Sequence, residues 1–235
     1  MTGSYLGLAA EDWQAVALSV GVSAAAVLLS LAPGVACAWL LARKSFPGKA
    51  LLDTLVNLPL VLPPVVTGLV LLYALGRRGW IGGWLYEWFG IEIALTWRAA
   101  VLAIAVMGFP LLVRSIRLAL ASYDPRLYQA ARSLGASPLD AFWSVSLPLA
   151  RQGVIAGCML AFARGLGEFG ATLMFAGIRP ETRTLPIQIY LLNNRPGDAN
   201  EARMWHIVAA SVAISFAALA ISQWLERRAM RAESA

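Results

Sequence analysis

Five blocks of apolar residues, roughly 15–42, 54–76, 96–119, 152–176 and 204–225, set the terms on which this chain can fold. Each is long enough to cross a hydrocarbon core of about 30 Å as a helix, which takes about twenty residues. In lipid every backbone N–H and C=O must be satisfied within the protein, so blocks without a two-residue alternation cross as helices. With 59% hydrophobic and 14% charged residues in 235, and with the apolar residues gathered in blocks and not in stripes, a soluble domain is excluded. The expected fold class is an all-α polytopic membrane protein with five spanning helices. Between the fourth and fifth blocks, Leu185 to Leu192 is too short to cross. It reads as re-entrant or interfacial and leaves room for a short sixth span. Glu11 and Asp12 precede the first block, which is read as a membrane helix and not as a cleavable signal.

Lys and Arg give the orientation. Arg43, Lys44, Lys49, Arg114, Arg117, Arg126, Arg132, Arg151, Arg227, Arg228 and Arg231 fall on one side of the alternating blocks. Arg77, Arg78, Arg98, Arg179, Arg183, Arg195 and Arg203 fall on the other. The richer side is cytosolic, so the N-terminus is outside and the C-terminus inside. Trp13, Trp80, Trp84, Trp88, Trp97 and Trp205 then all land at the outer interface, where amphipathic rings are favoured. Trp80, Trp84 and Trp88 are spaced four apart, which predicts a short helix lying in that interface with its indoles on one face.

The cytosolic side carries a polar insert, 124–148, between the third and fourth blocks. Asp124 suits an N-cap, with Pro125 in the first helical position, where a missing N–H is harmless. Gly135 suits the left-handed residue that closes a helix. Ser137, Pro138 and Asp140 restart one as a capping box. Two short capped helices on one side of a membrane form a docking element for a separate partner.

Two features lie inside the membrane blocks. In Asn57–Gly68, Pro59, Pro63 and Pro64 remove three N–H donors ahead of Thr67. That pattern fits either a broken helix lining a translocation path or a packed kink. Arg164 and Glu168 stand one helical turn apart in the fourth block, and each is costly in lipid unless it faces protein or a cavity. Their spacing lets them pair with each other, and they also fit a pathway or a subunit interface in which Arg164 helps an anion pass. Gly153, Gly157, Gly165, Gly167 and Gly170 thin the same block and point to close approach by a second copy of the chain.

Other chemistries find no support. Cys37 and Cys158 lie in apolar segments and read as small buried hydrophobes, and His206 lacks companion ligands for a metal. The phosphate-loop pattern fails because Ala50 follows Gly48-Lys49 and Arg43 stands where its first Gly belongs. A helix-turn-helix reading of the insert fails as well. Its second helix, residues 138–146, offers no Arg, Lys, Asn or Gln to address bases.

Gln129-Ala130-Ala131, Gly135 and Val145-x-Leu147-Pro148 resemble the EAA loop of permease subunits of bacterial ABC importers. Three further stretches are similar to molybdate permeases: Leu58–Gly68, Gly76–Gly79 and Thr184–Tyr190. So is Phe162–Thr172, whose Gly167-Glu168-Phe169-Gly170 is shared with sulfate permeases. The resemblance implies the transmembrane domain of a type I (MetI-like) importer, a single domain over 1–235 in the bacterial cytoplasmic (inner) membrane. It further implies a homodimeric pore with alternating access for molybdate and tungstate, two cytosolic ATPase subunits and an extracytoplasmic molybdate-binding protein. Gln129, Ala130, Ala131, Arg132, Gly135, Ala136, Leu147 and Pro148 would couple to the ATPase. Pro59, Pro63, Pro64, Thr67, Arg164 and Glu168 would lie at the pathway or dimer interface. The chain itself would bind no cofactor and catalyse nothing, ATP and Mg being used by the partner. Gln129 departs from the motif's Glu, which puts partner choice in question. The alternatives are a permease for sulfate or another oxyanion and, more remotely, an autonomous secondary transporter, for which the sequence lacks an internal repeat.

Overall fold

The computed structural model describes residues 9–195 and 197–231, and they are helical almost throughout. Three helices are long and apolar enough to cross unbroken: α1 (Ala10–Arg43), α5 (Trp97–Ser122) and the stretch Asp198–Ile221 of α12 (Asp198–Arg231). Two more crossings are bent. α2 (Lys49–Val61) and α3 (Pro64–Leu75) meet at 115°, and Pro138–Leu149 meets α9 (Arg151–Leu166) at 68°. Counting each bent pair once gives up to five crossings among the described residues; in the second pair α9 is the spanning limb, and Pro138–Leu149 belongs to the cytosolic insert.

Block 54–76, read as either broken or kinked, and block 152–176, expected as one continuous helix, are both interrupted. Pro59, Pro63 and Pro64 carry no N–H, so the carbonyls of Leu55, Pro59 and Leu60 lose their helical partners. The helix stops at Val61 and restarts at Pro64. This selects the broken helix over the packed kink. In the fourth block α9 ends at Leu166 and α10 (Gly170–Ala176) begins after three non-helical residues. α11 (Leu185–Asn193) rises only about 13 Å. It is buried at Leu185, Ile187, Gln188 and Leu192 against α1 and α12, so it adds no sixth span.

α1, α5 and α9 form the core, and small residues set their spacing. A Cβ on Gly34 would lie 2.8 Å from Leu112 Cδ2, one on Gly165 2.6 Å from Ile104 Cγ2, and one on Gly153 would collide with Ala119 Cβ. Gly153, Gly157 and Gly165 therefore serve the packing of α9 on α5 and α1 within one chain, not the second copy that the sequence pointed to. Gly170 likewise meets Pro64 of the same chain, and Gly167 alone of the five has open space beside it.

Both ends of the bundle are fastened by charge. At the outer end Asp12 is fully buried; its Oδ1 accepts from Gln188 Nε2 at 3.0 Å and from Arg203 Nη2 at 3.0 Å. This ties the starts of α1 and α12 to α11. At the cytosolic end Arg43 Nη2 donates to the Leu120 carbonyl at 2.6 Å, and its guanidinium lies 4.0 Å from the Tyr123 ring centroid. The favourable placing of a cation at a helix C-terminus joins the ends of α1 and α5. The α4 helix (Trp80–Phe89) bears Trp80, Trp84 and Trp88 all exposed, as the four-residue spacing predicts. Cys37 and Cys158 are free thiols.

Candidate functional site

The insert folds as its local signals require. Asp124 Oδ1 accepts from the Arg126 amide at 2.8 Å and opens α6 (Pro125–Ser133). The helix ends in a Schellman pair: Ala136 N–H donates to the Ala131 carbonyl at 3.1 Å and Gly135 N–H to the Arg132 carbonyl at 3.2 Å. Gly135 has φ +93°, a conformation that L side chains rarely adopt. Arg132 Nη1 donates to the Ala136 carbonyl at 2.5 Å, so this side chain closes the turn as well as facing outward.

Ser137 then caps α7 (Pro138–Ala141). The Asp140 amide donates to Ser137 Oγ at 3.1 Å, and Ser137 N–H donates to Asp140 Oδ2 at 3.2 Å. The Ser137 hydroxyl and then its amide, both donating to the carboxylate, hold Asp140 below the usual carboxylate range. The π-helical turn Phe142–Ser146 follows and was not legible in the sequence. It re-aims the chain so that Ser146, fully buried, accepts from Tyr123 Oη at 2.8 Å while Phe142 meets Trp39 edge-on at 5.9 Å. α8 (Leu147–Leu149) leads into α9.

What the insert leaves outside is informative. Gln129, Ala130, Arg132, Gly135 and Pro148 are exposed, and Ala131, Ala136 and Leu147 are half-buried. Beside them Leu134, Leu139 and Trp143 are 89%, 69% and 63% exposed. Large apolar side chains this exposed on a polar segment form an unpartnered apolar patch within this chain.

At the other end of α9, the two breaks face each other. A Cβ on Gly68 of α3 would sit 2.7 Å from the Ala171 carbonyl oxygen, and one on Gly170 would sit 2.9 Å from Pro64 Cβ. The restart of one broken helix thus lies directly on the restart of the other. Glu168, 1% exposed, holds this junction. Its Oε1 accepts from the Ala171 amide at 2.9 Å, capping α10, and its Oε2 lies 2.5 Å from Arg164 Nη1. The pair that spacing allowed is therefore formed. Arg164 keeps 29% of its side chain exposed, while the carboxylate is enclosed.

Of the remaining residues picked out by sequence, Pro63 is exposed while Pro59 and Pro64 are half-buried. Thr67 is buried at 6% exposure with no partner for its hydroxyl. It lies inside the protomer and does not line an open surface. Two polar clusters escaped notice: Asp12 with Gln188 and Arg203 outside, and Asp53 with Asn57 and Arg117 inside. An acid next to or within an apolar block was the available signal for both.

Residues 34–231 match the family described as binding-protein-dependent transport system inner membrane component. The chain is 55% identical over 217 residues to the molybdenum transport system permease protein ModB of Escherichia coli strain K12, covering 92% of this chain and 94% of that protein. It is 46% identical to the ModB protein of Haemophilus influenzae over 91% of this chain and 93% of the relative. A sulfate transport system permease protein, CysW of Synechocystis, is 38% identical over 74% of this chain and 63% of its own length. Among solved structures, the inward-facing MetNI methionine ABC transporter superposes with a TM-score of 0.67 at 17% identity, covering 93% of this chain and 94% of that one. An amino acid ABC transporter superposes at 0.62 with 18% identity over the same shares. These two likenesses establish the fold of a type I importer transmembrane domain.

Proposed function

The chain belongs to the binding-protein-dependent transport system inner membrane component family, and from that premise we propose that it carries molybdate inward as the permease subunit of an ABC importer. The anion rests on the near full-length identity with molybdenum permeases, against a shorter and weaker likeness to a sulfate permease. The mechanism rests on one observation of geometry. An exposed, self-capped docking segment runs through the π-turn into α9, and α9 ends at the Arg164–Glu168 junction where the two breaks touch.

In this reading two copies of the chain form the pore, and two cytosolic ATPase subunits that use ATP and Mg seat on residues 124–148. Gln129, Ala130, Ala131, Arg132, Gly135, Ala136, Leu147 and Pro148 present the seat, with Leu134, Leu139 and Trp143 as its apolar contacts. Gln129 is exposed and supplies an amide where the motif has a carboxylate, so it contacts the ATPase by hydrogen bonding and not by charge. Closure of the ATPases moves this rigid segment and α9 with it. The breaks at Leu62–Pro63 and Gly167–Phe169 absorb the motion, because few helical hydrogen bonds cross them. Arg164, positioned by Glu168 and partly exposed, offers a weak contact to a passing anion. An extracytoplasmic molybdate-binding protein supplies the affinity, and the pore needs only weak sites.

Reconstitution with the cognate ATPase and binding protein tests both halves. ATP hydrolysis is expected to rise with molybdate-loaded binding protein and not with a sulfate-loaded one. Stimulation by the sulfate-loaded protein alone would overturn the anion. Transport without any ATPase would overturn the importer in favour of a secondary transporter.

A further inference from the structure

Arg114 and Arg117 stand nearly one turn apart on α5, and the two guanidiniums are treated differently. Arg117 Nη1 is held by Asp53 Oδ1 at 2.9 Å, with both side chains about one-third exposed at 36%. Asn57 Nδ2 donates to the same carboxylate at 3.1 Å and to the Asp53 carbonyl at 2.7 Å. Arg114 shares with these residues a half-enclosed cleft of about 230 Å³, walled by Pro110 and Val113. It is exposed there and has no hydrogen-bond or ion-pair partner among the described residues.

A second cleft of about 560 Å³ shares Asp53 and Asn57 with the first and continues along α2 to Leu58 and Val61. Val61 is the last residue of α2, at the edge of the Leu62–Pro63 break. The two clefts therefore make one track that runs from the broken crossing to Arg114. Both arginines lie within about two turns of the cytosolic end of α5, the end fastened to Arg43.

We propose that this track ends in an inner oxyanion site. The tetrahedral dianion leaving the broken crossing is received by Arg114 and, once Asp53 releases it, by Arg117, with Asn57 as a neutral donor. The inference rests on the reading of the chain as an oxyanion permease. An unpaired guanidinium in a partly enclosed cleft raises the local concentration of anions, and its fork of N–H groups suits two oxygens of a tetrahedral ion. Two cations less one carboxylate leave the cluster at +1. A dianion is thus attracted but not neutralised, and can leave, as conduction demands. The Asp53–Arg117 pair is exposed enough to open readily. It gates the second arginine: paired, the site is half-strength; open, it is complete.

The test uses the assembled transporter with Cys37→Ala and Cys158→Ala, and Thr54→Cys as a reporter, since Thr54 is exposed in the larger cleft. Labelling from the cytosolic side with anionic and cationic thiol reagents is timed with and without molybdate. Molybdate is expected to slow labelling. Arg114→Gln should weaken that protection about tenfold, the scale of one charge-assisted hydrogen bond, and lower the anionic-to-cationic labelling ratio. Asp53→Asn should strengthen protection by freeing Arg117, so the site is judged by two changes of opposite sign. Equal labelling with and without either oxyanion, molybdate or sulfate, or protection that survives Arg114→Gln, overturns the site. So does protection by anionic phosphatidylglycerol nanodiscs that phosphatidylcholine nanodiscs do not give, which would assign the cleft to a lipid phosphate. Protection by sulfate and not by molybdate upholds the site and overturns the choice of anion. Normal ATP-driven molybdate uptake without any protection overturns the site and leaves the transport function standing.

Discussion

Between Asp124 and Pro148 the chain closes its own turns: Asp124 caps Arg126, Ala136 bonds Ala131, and Ser137 and Asp140 cap each other. Where α3 meets α10 the close approaches join residues about a hundred apart in sequence, Pro64 with Gly170 and Gly68 with Ala171. The first region keeps large side chains in the open, with Leu134 and Leu139 well exposed, while the second encloses Glu168 and Thr67. A segment whose backbone is satisfied locally can be displaced as a body without repacking. A junction held by contacts between distant residues changes only by breaking them. In the proposed mechanism, force enters the molecule at the first and does its work at the second.

The strongest test of that difference is Glu168→Ala. It removes the partner of Arg164 and the acceptor of the Ala171 amide at once, leaving a cation and a buried donor unpaired. A loss of about 3 kcal/mol is expected, seen as a lower unfolding midpoint and loss of uptake. From the sequence, exchanging the two charges should restore the pair. In the structure an arginine at 168 cannot accept from the Ala171 amide, so the exchanged double variant should be rescued poorly, while Glu168→Gln, which retains an acceptor, should outlast Glu168→Ala. Full rescue by the exchange would show that charge alone matters at the junction.

Gly68→Val comes next. Its Cβ would meet backbone, the Ala171 carbonyl at 2.7 Å and Cα at 2.8 Å. Backbone cannot swing aside, so overpacking should cost about 1–3 kcal/mol and hold α3 away from α10. The readout is uptake at unchanged binding of the ATPase. Reduced co-purification of the ATPase from this variant would blur the line between the two regions and count against their division of labour.

The two regions also differ in how far the sequence discloses them. The caps at Asp124 and Ser137, the left-handed Gly135 and the short helix that exposes Trp80, Trp84 and Trp88 depend on residues within a turn or two of each other, and all are present as read. The charge count gives the orientation, and the contacts of Arg43 and Asp12 show which helix ends share a side. Interruption of the fourth block was not legible, because nothing within Gly167–Phe169 forbids a helix as Pro63 and Pro64 do. That break is held open by Glu168 turning back to cap Ala171 and by Pro64 pressing on Gly170. The glycines of α9 were legible as a thin surface, but a thin surface does not say which helix approaches it.

Gly135→Val should act on the coupling segment alone. No atom would meet its Cβ within 4 Å, so the strain is confined to φ +93° and amounts to about 1–2 kcal/mol. The variant should purify with an unchanged unfolding midpoint for the transmembrane bundle, and the ATPase should no longer co-purify. Gly135→Asn, which tolerates positive φ better, should hold the ATPase more firmly. Identical retention by the Val and Asn variants would remove the backbone argument.

The smallest effect belongs to Asp140, and it has a sign. Donation from Ser137 sets its folded pKa below the ordinary value of about 3.9. A depressed carboxylate contributes stability above its unfolded pKa and loses it as pH falls through the folded one. Between pH 7 and 5 the cap is therefore at full strength, and it weakens only in the acid range below the usual aspartate titration. Ser137→Ala should move the Asp140 titration back toward the ordinary value, measured by carbon NMR on aspartate-labelled protein. It should also speed exchange of the Asp140 amide, which has lost its hydroxyl acceptor. Because the two residues are three apart and exposed, with their hydrogen bonds to each other and to Ser144, exchange at Ala171 should stay unchanged. A change at Ala171 would mean that the coupling segment and the junction are not mechanically separate when the transporter is at rest.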